Sequence, residues 1–161
     1  MKEHSLNIGP AGESCGNDAA TGIVRGVMRL LRDLGYKAID EFPLGNARRV
    51  DVVGLGRDGR FVVVEVKASV ADFRADAKWP DYLPYGDEFY FAVGPEFPLA
   101  RLPEDVGIIV ADAYEGTVVR PAPRCSMHAS RRKAQTLRFA RTAAARLGAR
   151  VDSGAAAGQG R

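Results

Sequence analysis

The chain has 161 residues, 46% of them hydrophobic, which suffices for one domain with a single core. No apolar run reaches the roughly 18 residues of a membrane span, and the start, MKEHSLNIGPAGES, lacks the apolar segment of a secretory signal. The sequence therefore predicts a cytoplasmic protein with no membrane partner. The net charge of +3 hides an asymmetry: residues 1 to 120 carry 14 Lys and Arg against 19 Asp and Glu, and residues 121 to 161 carry 9 against 1.

An acidic body with a basic end suits a protein that gathers cations at carboxylates and meets a polyanion through a separate Arg-rich surface. The alternative is a solvated helix face that only keeps the protein soluble. The charge distribution does not distinguish these two interpretations. The sequence motifs must decide between them.

The first regular element is a helix from about Asp18 to Leu34, in which apolar residues recur at helical spacing. Asn17 can cap its start and Gly35 can end it. Residues 1–16 have no periodicity and residues 149–161 form a small-residue tail, so both are predicted to be disordered. The predicted domain is 17–148.

Three strand-like stretches follow at residues 36–44, 48–55 and 60–67, separated by turn-forming segments, which predicts a β-meander. Ser69 and Asp72 form a capping box for a short helix that should falter near Trp79, because proline follows.

The second half of the chain predicts further strands at 88–94, 107–112 and 116–120. A final helix runs from about Ser126 to Leu147. Its apolar residues fall on one side and most of its arginines elsewhere; the apolar side comprises Leu137, Ala140, Ala144 and Leu147. The fold class is α/β, with a central mixed sheet flanked by helices.

The third strand carries two charged residues in an apolar setting. Side chains alternate along a strand, so Glu65 and Lys67 share one face while Val62, Val64 and Val66 share the other. Buried charges cost free energy unless each finds a partner. An ion pair at a strand end is the structural alternative, because short Glu-x-Lys strings are frequent.

Asp51, in the preceding strand, lies in an equally apolar stretch. A two-residue Asp58-Gly59 turn would place Asp51 on the opposite face from Glu65. A three-residue loop of Arg57, Asp58 and Gly59, with Gly59 left-handed, pairs Asp51 with Glu65 directly. We expect the three-residue loop, because the chemistry requires the two carboxylates to converge.

Two adjacent carboxylates repel, and a hard divalent cation with oxygen ligands relieves that repulsion, so Mg²⁺ or Mn²⁺ is the predicted cofactor. Such a metal polarises a phosphate and lowers the pKa of a bound water, and Lys67 can hold the attacking water or a phosphate oxygen. Glu41 on the first strand is a further candidate for the same face, with a surface role as the alternative.

The spacing of Asp51 and Glu65-Val66-Lys67, between two helices, resembles the PD-(D/E)xK nuclease superfamily, with Val50 in place of the proline. RRVDVVGL, VVVEVKASVADFRADAKWPDYLPYGDEFYFAVG and ASRRKAQTLRFARTAAARL resemble the MmcB family of DNA-repair-associated proteins over about residues 20–147. The resemblance implies a restriction-endonuclease-like core. It also implies catalytic Asp51, Glu65 and Lys67, and a metal held by Asp51, Glu65 and Val66.

DNA is the predicted partner, together with other repair proteins, in a bacterial, nucleoid-associated setting. Arg48 and Arg49 lie just before Asp51, and Lys78 follows the Glu-x-Lys strand, so each can contact a phosphate. The last helix can add a positive stripe whose affinity comes from counterion release, comprising Arg131, Arg132, Lys133, Arg138 and Arg141, of which Arg131, Arg132 and Arg138 are the first candidates.

The predicted function is a metal-dependent DNA endonuclease acting in repair. A nuclease-fold module that binds DNA in a repair complex without chemistry is the alternative. The substrate's strandedness and the oligomeric state stay open.

Overall fold

The structure is a computed structural model that describes residues 12 to 158, with side chains from 16 to 154. Apolar residues at helical spacing form α1, Gly12–Asp33, and Gly35 ends it with a left-handed φ of 89°. Ile23, Val27 and Leu31 are buried against the sheet. Helix α1 therefore covers one face of the sheet.

One six-stranded mixed sheet, in the order β1 to β6, forms the centre of the molecule. Its first three strands are β1, Lys37–Pro43, β2, Arg49–Leu55, and β3, Phe61–Lys67, all antiparallel neighbours. The others are β4, Glu88–Val93, β5, Gly107–Ala111, and β6, Gly116–Arg120, of which β4 and β5 run parallel to β3. The predicted α/β fold with a meander and further strands is confirmed.

The β2–β3 hairpin has the three-residue loop that the site requires. Gly56 N–H donates to the Arg60 carbonyl at 2.9 Å, and Gly59 has a φ of 79°, which favours glycine. Val52 pairs with Val64 and Leu55 with Phe61. This register places Asp51 and Glu65 at opposing positions, as predicted.

Two apolar layers enclose β3, because both of its faces are covered. Val62, Val64 and Val66 pack under α1. On the other face Phe61 and Val63 join a second cluster, which α3 closes with Phe139. Glu65 and Lys67 lie on that second face, in a strand that is buried along its whole length.

The segment between β3 and β4 contains the predicted short helix and a second helical turn that was not predicted. Ser69 Oγ accepts the Asp72 N–H at 3.1 Å and opens α2, Val70–Ala75, as predicted. The helix ends before Trp79, and a 3₁₀ helix over Trp79–Tyr85 follows, which the sequence did not predict. Tyr82 of this segment is buried near the site.

Helices α1 and α3 extend beyond their predicted ends. Helix α1 begins at Gly12, within the segment expected to lack structure, of which residues 1 to 11 lie outside the described part. Helix α3, Ala129–Gly158, continues past Leu147 through the small-residue tail. Alanine has the highest helix propensity, so an Ala-rich tail can be helical without burying anything. The domain bounds 17–148 stay a prediction.

The face of α3 that packs on the domain is not the apolar side described above. Gln135 and Phe139 are buried, whereas Leu137 is 58% and Leu147 66% exposed. The apolar side that the sequence predicts therefore faces solvent. Two anchors set this rotation: Gln135 donates to the Tyr85 carbonyl at 2.6 Å, and Arg132 bonds to Asp87.

Candidate active site

The site forms where the β1–β2–β3 meander departs from regular pairing. Asp40 pairs with Val52 and Phe42 with Val50, and Glu41 between them has a left-handed φ of 43°. A non-glycine residue in that region costs of order 1 kcal/mol, and such strain often accompanies function. The irregularity lies directly beside Asp51.

Asp51 leaves the β2–β3 ladder, which ends at Val52 and Val64. Its Oδ2 accepts the Val66 N–H at 2.7 Å, a position that a β2 carbonyl would occupy in a regular ladder. In an antiparallel pair the N–H and C=O of one residue point to the same neighbour, so the Val66 carbonyl also faces Asp51.

Glu65 is buried, with 7% of its surface exposed. Its Oε1 accepts from Lys67 Nζ at 3.3 Å, and its Oε2 is buried with no hydrogen-bond partner in the described part of the chain. Buried polar atoms are nearly always paired, and an exception calls for a ligand or another physical cause.

The electrostatics of the two carboxyl groups follow from this burial. Desolvation, reinforced by the nearby charge of Asp51, raises the pKa of Glu65 to about 8. Desolvation also raises the pKa of Asp51, although the Val66 N–H and the charge of Lys67 oppose that shift. Both carboxyl groups therefore hold a proton more readily than an exposed carboxyl does, and a bound cation would favour their ionised forms.

Lys67 is held by the carboxylate of Asp76, in the segment that follows β3. Burial alone would lower the pKa of Lys67, but its 2.6 Å hydrogen bond to Asp76 and the charge of Glu65 raise it. Asp76 is fixed in turn by the Lys78 N–H at 2.8 Å. Lys67 is 4% exposed, so its ammonium is confined to this cleft.

Asp76 lies in the segment after the Glu-x-Lys strand, where related nucleases place residues facing the metal and the substrate. It is the C-cap of α2, and this position brings it back over the end of β3 to Lys67. Tyr82 belongs to the same cleft: burial raises its pKa, and the charges of Glu65 and Asp76 raise it further.

The donor set fits a magnesium-like ion. Two carboxylates and a backbone carbonyl are hard oxygen donors, and Mg²⁺ usually takes one or two carboxylates and keeps several waters. No group of three or more His, Cys, Asp or Glu side chains suited to a metal is present among the described residues. The unpaired Glu65 Oε2 is the atom that a cation would satisfy.

The other residues predicted for catalysis and DNA contact lie around this cleft or away from it. Glu41 is exposed and pairs with Arg49 at 3.7 Å, so the structure does not bring it to the carboxylate pair. Arg48 bonds to Asp81 at 2.7 Å. Arg49 lies near enough to Asp51 for its charge to oppose the raised pKa. Lys78 is exposed at the end of the loop after α2.

Two of the five cations in the predicted stripe on α3 contact the domain. Arg132 makes a bidentate pair with buried Asp87 and also donates to the Gly59 carbonyl at 2.8 Å. It therefore locks α3 to the β2–β3 loop, because a buried carboxylate needs its partner. Arg131 lies 5.1 Å from the centre of the Tyr85 ring. The other three predicted cations, Lys133, Arg138 and Arg141, are exposed.

The chain folds as an α/β protein with a helix, a three-stranded meander, a second helix and a parallel fourth strand. Asp51, Glu65 and Lys67 lie at one end of its sheet, an arrangement that resembles the PD-(D/E)xK nucleases. The family model described as DNA repair protein MmcB-like matches residues 9–154, and the chain belongs to that family.

A solved protein of unknown function from Silicibacter pomeroyi is 41% identical, with a TM-score of 0.81 over 92% of this chain and 95% of that one. A repair endonuclease from Pyrococcus abyssi is 21% identical over 60% of this chain and 43% of that one, with a TM-score of 0.35. Comparison with curated proteins gives no match. Within residues 12 to 158, no helix is long and apolar enough to cross a membrane.

Proposed function

We propose that this protein is a metal-dependent endonuclease that hydrolyses DNA phosphodiester bonds during repair. Membership of the MmcB-like DNA repair family supports the process and the substrate. One observation carries the chemistry: Glu65 Oε2 is buried and unpaired beside a second carboxylate. Ionising two carboxylates together in a cleft lowers the stability of the fold unless a cation neutralises both.

Asp51, Glu65 and the Val66 carbonyl would hold Mg²⁺ or Mn²⁺. When bound, such an ion supplies Lewis-acid polarisation of the phosphate and a water of lowered pKa. Asp51 is oriented for this by the Val66 N–H, which fixes one of its oxygens and leaves the other free to bind. Glu41 is outside the proposed ligand set, because its carboxylate is exposed.

Lys67 would bind a non-bridging phosphate oxygen or the attacking water. Its charge is secured by Asp76, and a charge fixed in a cleft stabilises a developing negative charge better than a mobile one. Arg49 and Lys78 are exposed at the edge of the cleft, where they can position the flanking phosphates without reading bases.

The test is cleavage of labelled single-stranded, duplex and branched DNA in Mg²⁺ or Mn²⁺. We expect the native chain to cut at least one substrate, and Lys67→Ala and Glu65→Gln each to lower the rate by about 100-fold or more. Glu104→Gln, at an exposed carboxylate, is the matched control and should cut like the parent.

Two results would count against the proposal. Cleavage that survives in Glu65→Gln would remove this site from the reaction. DNA binding by the native chain without cleavage of any substrate would favour the alternative of a nuclease-fold binding module.

A further inference from the structure

Helix α3 has one face on the domain and an opposite face that nothing in the described chain covers. Gln135 and Phe139 bury the first face, and Arg146 extends it by donating to Asp40 at 2.7 Å and to the Glu41 carbonyl at 3.2 Å. Apart from Thr142, which is half-buried, the residues from 140 to 154 are all exposed. An isolated helix of this kind is marginal in water, so the second half of α3 lacks the packing that usually stabilises a helix.

The uncovered face is apolar and regular. Its members alternate in steps of three and four residues, the heptad spacing of a helix that pairs with another. At about 100° per residue they lie roughly 140° around the helix from Gln135 and Phe139. We call this set the α3 seam: Leu137, Ala140, Ala144, Leu147, Val151 and Gly154.

The large members of the seam are openly exposed: Leu137 by 58%, Leu147 by 66% and Val151 by 64%. They account for three of the eight large hydrophobic side chains that are exposed in the described part of the chain. Single exposed apolar residues are common, but a contiguous row of them marks an interaction surface.

We propose that the α3 seam pairs with the same seam of a second copy, in antiparallel orientation. The seam is balanced in size, with three large residues, Leu137, Leu147 and Val151, and three small ones, Ala140, Ala144 and Gly154. Antiparallel pairing places Leu137 against Gly154, Ala140 against Val151, and Ala144 against Leu147. The two-fold axis repeats each pairing, so all six layers join one large and one small side chain.

Parallel pairing would not fill space in this way. Each layer would then join identical residues, with Leu against Leu in one layer and Ala against Ala in the next. The alanine layers would leave voids between helices held apart by leucine, and voids cost stability. The order of large and small residues therefore selects both a self-complementary partner and its direction.

The flanking charges tolerate this pairing. In the antiparallel arrangement Arg141 falls beside Gly148 of the other copy, and Arg150 beside Ala143, so no two cations meet directly. Helix α3 still carries seven Lys or Arg and one acidic residue, Asp152. Two such helices repel at long range, so the association should strengthen as salt rises. DNA binding would show the opposite dependence.

The contact is small. Residues 137 to 154 span about 26 Å of helix at 1.5 Å per residue. Two seams of that length bury on the order of 800 Å² in total, at the low end for specific interfaces. The dimer is therefore reversible and forms at micromolar or higher concentration, without any requirement for nuclease activity.

Sedimentation equilibrium of the full chain, from about 5 to about 500 µM, measures the association directly. We expect a monomer–dimer equilibrium that tightens between about 50 and 500 mM NaCl. Leu147→Glu should weaken it at least tenfold. Leu34→Glu, which places the same charge at a 56% exposed leucine outside the seam, should match the parent. Circular dichroism confirms that both variants are folded.

Orientation is tested by disulfide formation in a Cys15→Ser, Cys125→Ser background. Ala144→Cys mixed with Leu147→Cys should cross-link faster than either variant alone, because only the antiparallel arrangement brings these positions together. A native chain that stays monomeric throughout, a dimer that Leu147→Glu leaves intact, or faster cross-linking of each variant with itself would overturn the proposal.

Discussion

Two charged regions of this protein handle charge in opposite ways. At the ends of β2 and β3, Asp51, Glu65, Lys67 and Asp76 are confined in a cleft, and one carboxylate oxygen of Glu65 has no partner. On α3 the cations are either exposed, as Arg138 is, or committed to the fold, as Arg132 is. A buried charge without a partner implies a ligand, whereas a cationic helix carries no such implication until each side chain is located.

The largest expected effect on the basic side of this comparison concerns stability. Arg132→Ala leaves Asp87 buried without its cation, and such a change typically costs about 3 kcal/mol. Arg138→Ala removes the same side chain from an exposed position and should change the free energy of unfolding by less than about 0.5 kcal/mol. Urea denaturation of both variants measures the difference in their free energies of unfolding. Equal values would show that Arg132 does not anchor α3 to the domain.

On the acidic side, Asp76 is expected to position Lys67. Asp76→Ala should lower kcat by about tenfold or more with little change in KM, since it removes a partner of Lys67 and no contact with DNA. Asp76→Asn should recover part of the rate, because the amide oxygen can still accept a hydrogen bond from the Lys67 ammonium. Asp105→Ala, at an exposed acid, serves as the control. A rise in KM alone would assign Asp76 to DNA binding instead.

The pH dependence of stability tests whether the pKa of Glu65 is raised in the folded protein. With its pKa raised from 4.5 to about 8, the folded carboxyl stays protonated while the unfolded chain ionises. Without metal, the native chain therefore loses stability as the pH rises between these values. Glu65→Gln avoids this loss and should become the more stable of the two by about 1 to 3 kcal/mol at pH 8.

Thermal melts of both proteins in chelator, across that pH range, provide the measurement. The difference in stability should be smallest near pH 4.5 and level off above about pH 8. A difference that does not vary with pH would mean that Glu65 ionises normally in the folded chain.

The smallest expected effect is electrostatic. Arg138→Ala should reduce the slope of log affinity against log salt for duplex DNA by about one unit, independent of sequence, if this exposed arginine contacts one phosphate. Fluorescence anisotropy over a salt series measures the slope. An unchanged slope would confine DNA contacts to the residues around the cleft, such as Arg49 and Lys78.

The sequence predicts the strand-borne half of the site through alternation in β3 and through the three-residue Arg57–Gly59 loop, although that loop length is expected only because the two carboxylates have to converge. The alternation and the loop place Glu65 and Lys67 on one face and Asp51 opposite Glu65, as found. The partners were harder to predict: Asp76 reaches Lys67 only through the turn of α2, and Asp87 meets Arg132 across 45 residues of chain. The packed face of α3 depends on Gln135 and Phe139, whereas its more regular apolar stripe faces outward.

The most direct test of the central claim, that Asp51 and Glu65 form a divalent-cation site, is calorimetric titration with Mn²⁺ at pH 7. We expect one ion per chain and release of about one proton on binding, because Glu65 with a pKa of about 8 must ionise. Heats measured in buffers of different ionisation enthalpy give the proton count. Glu65→Gln should bind at least about tenfold more weakly and release no proton from this site. Binding of unchanged affinity and proton count in Glu65→Gln would contradict the account.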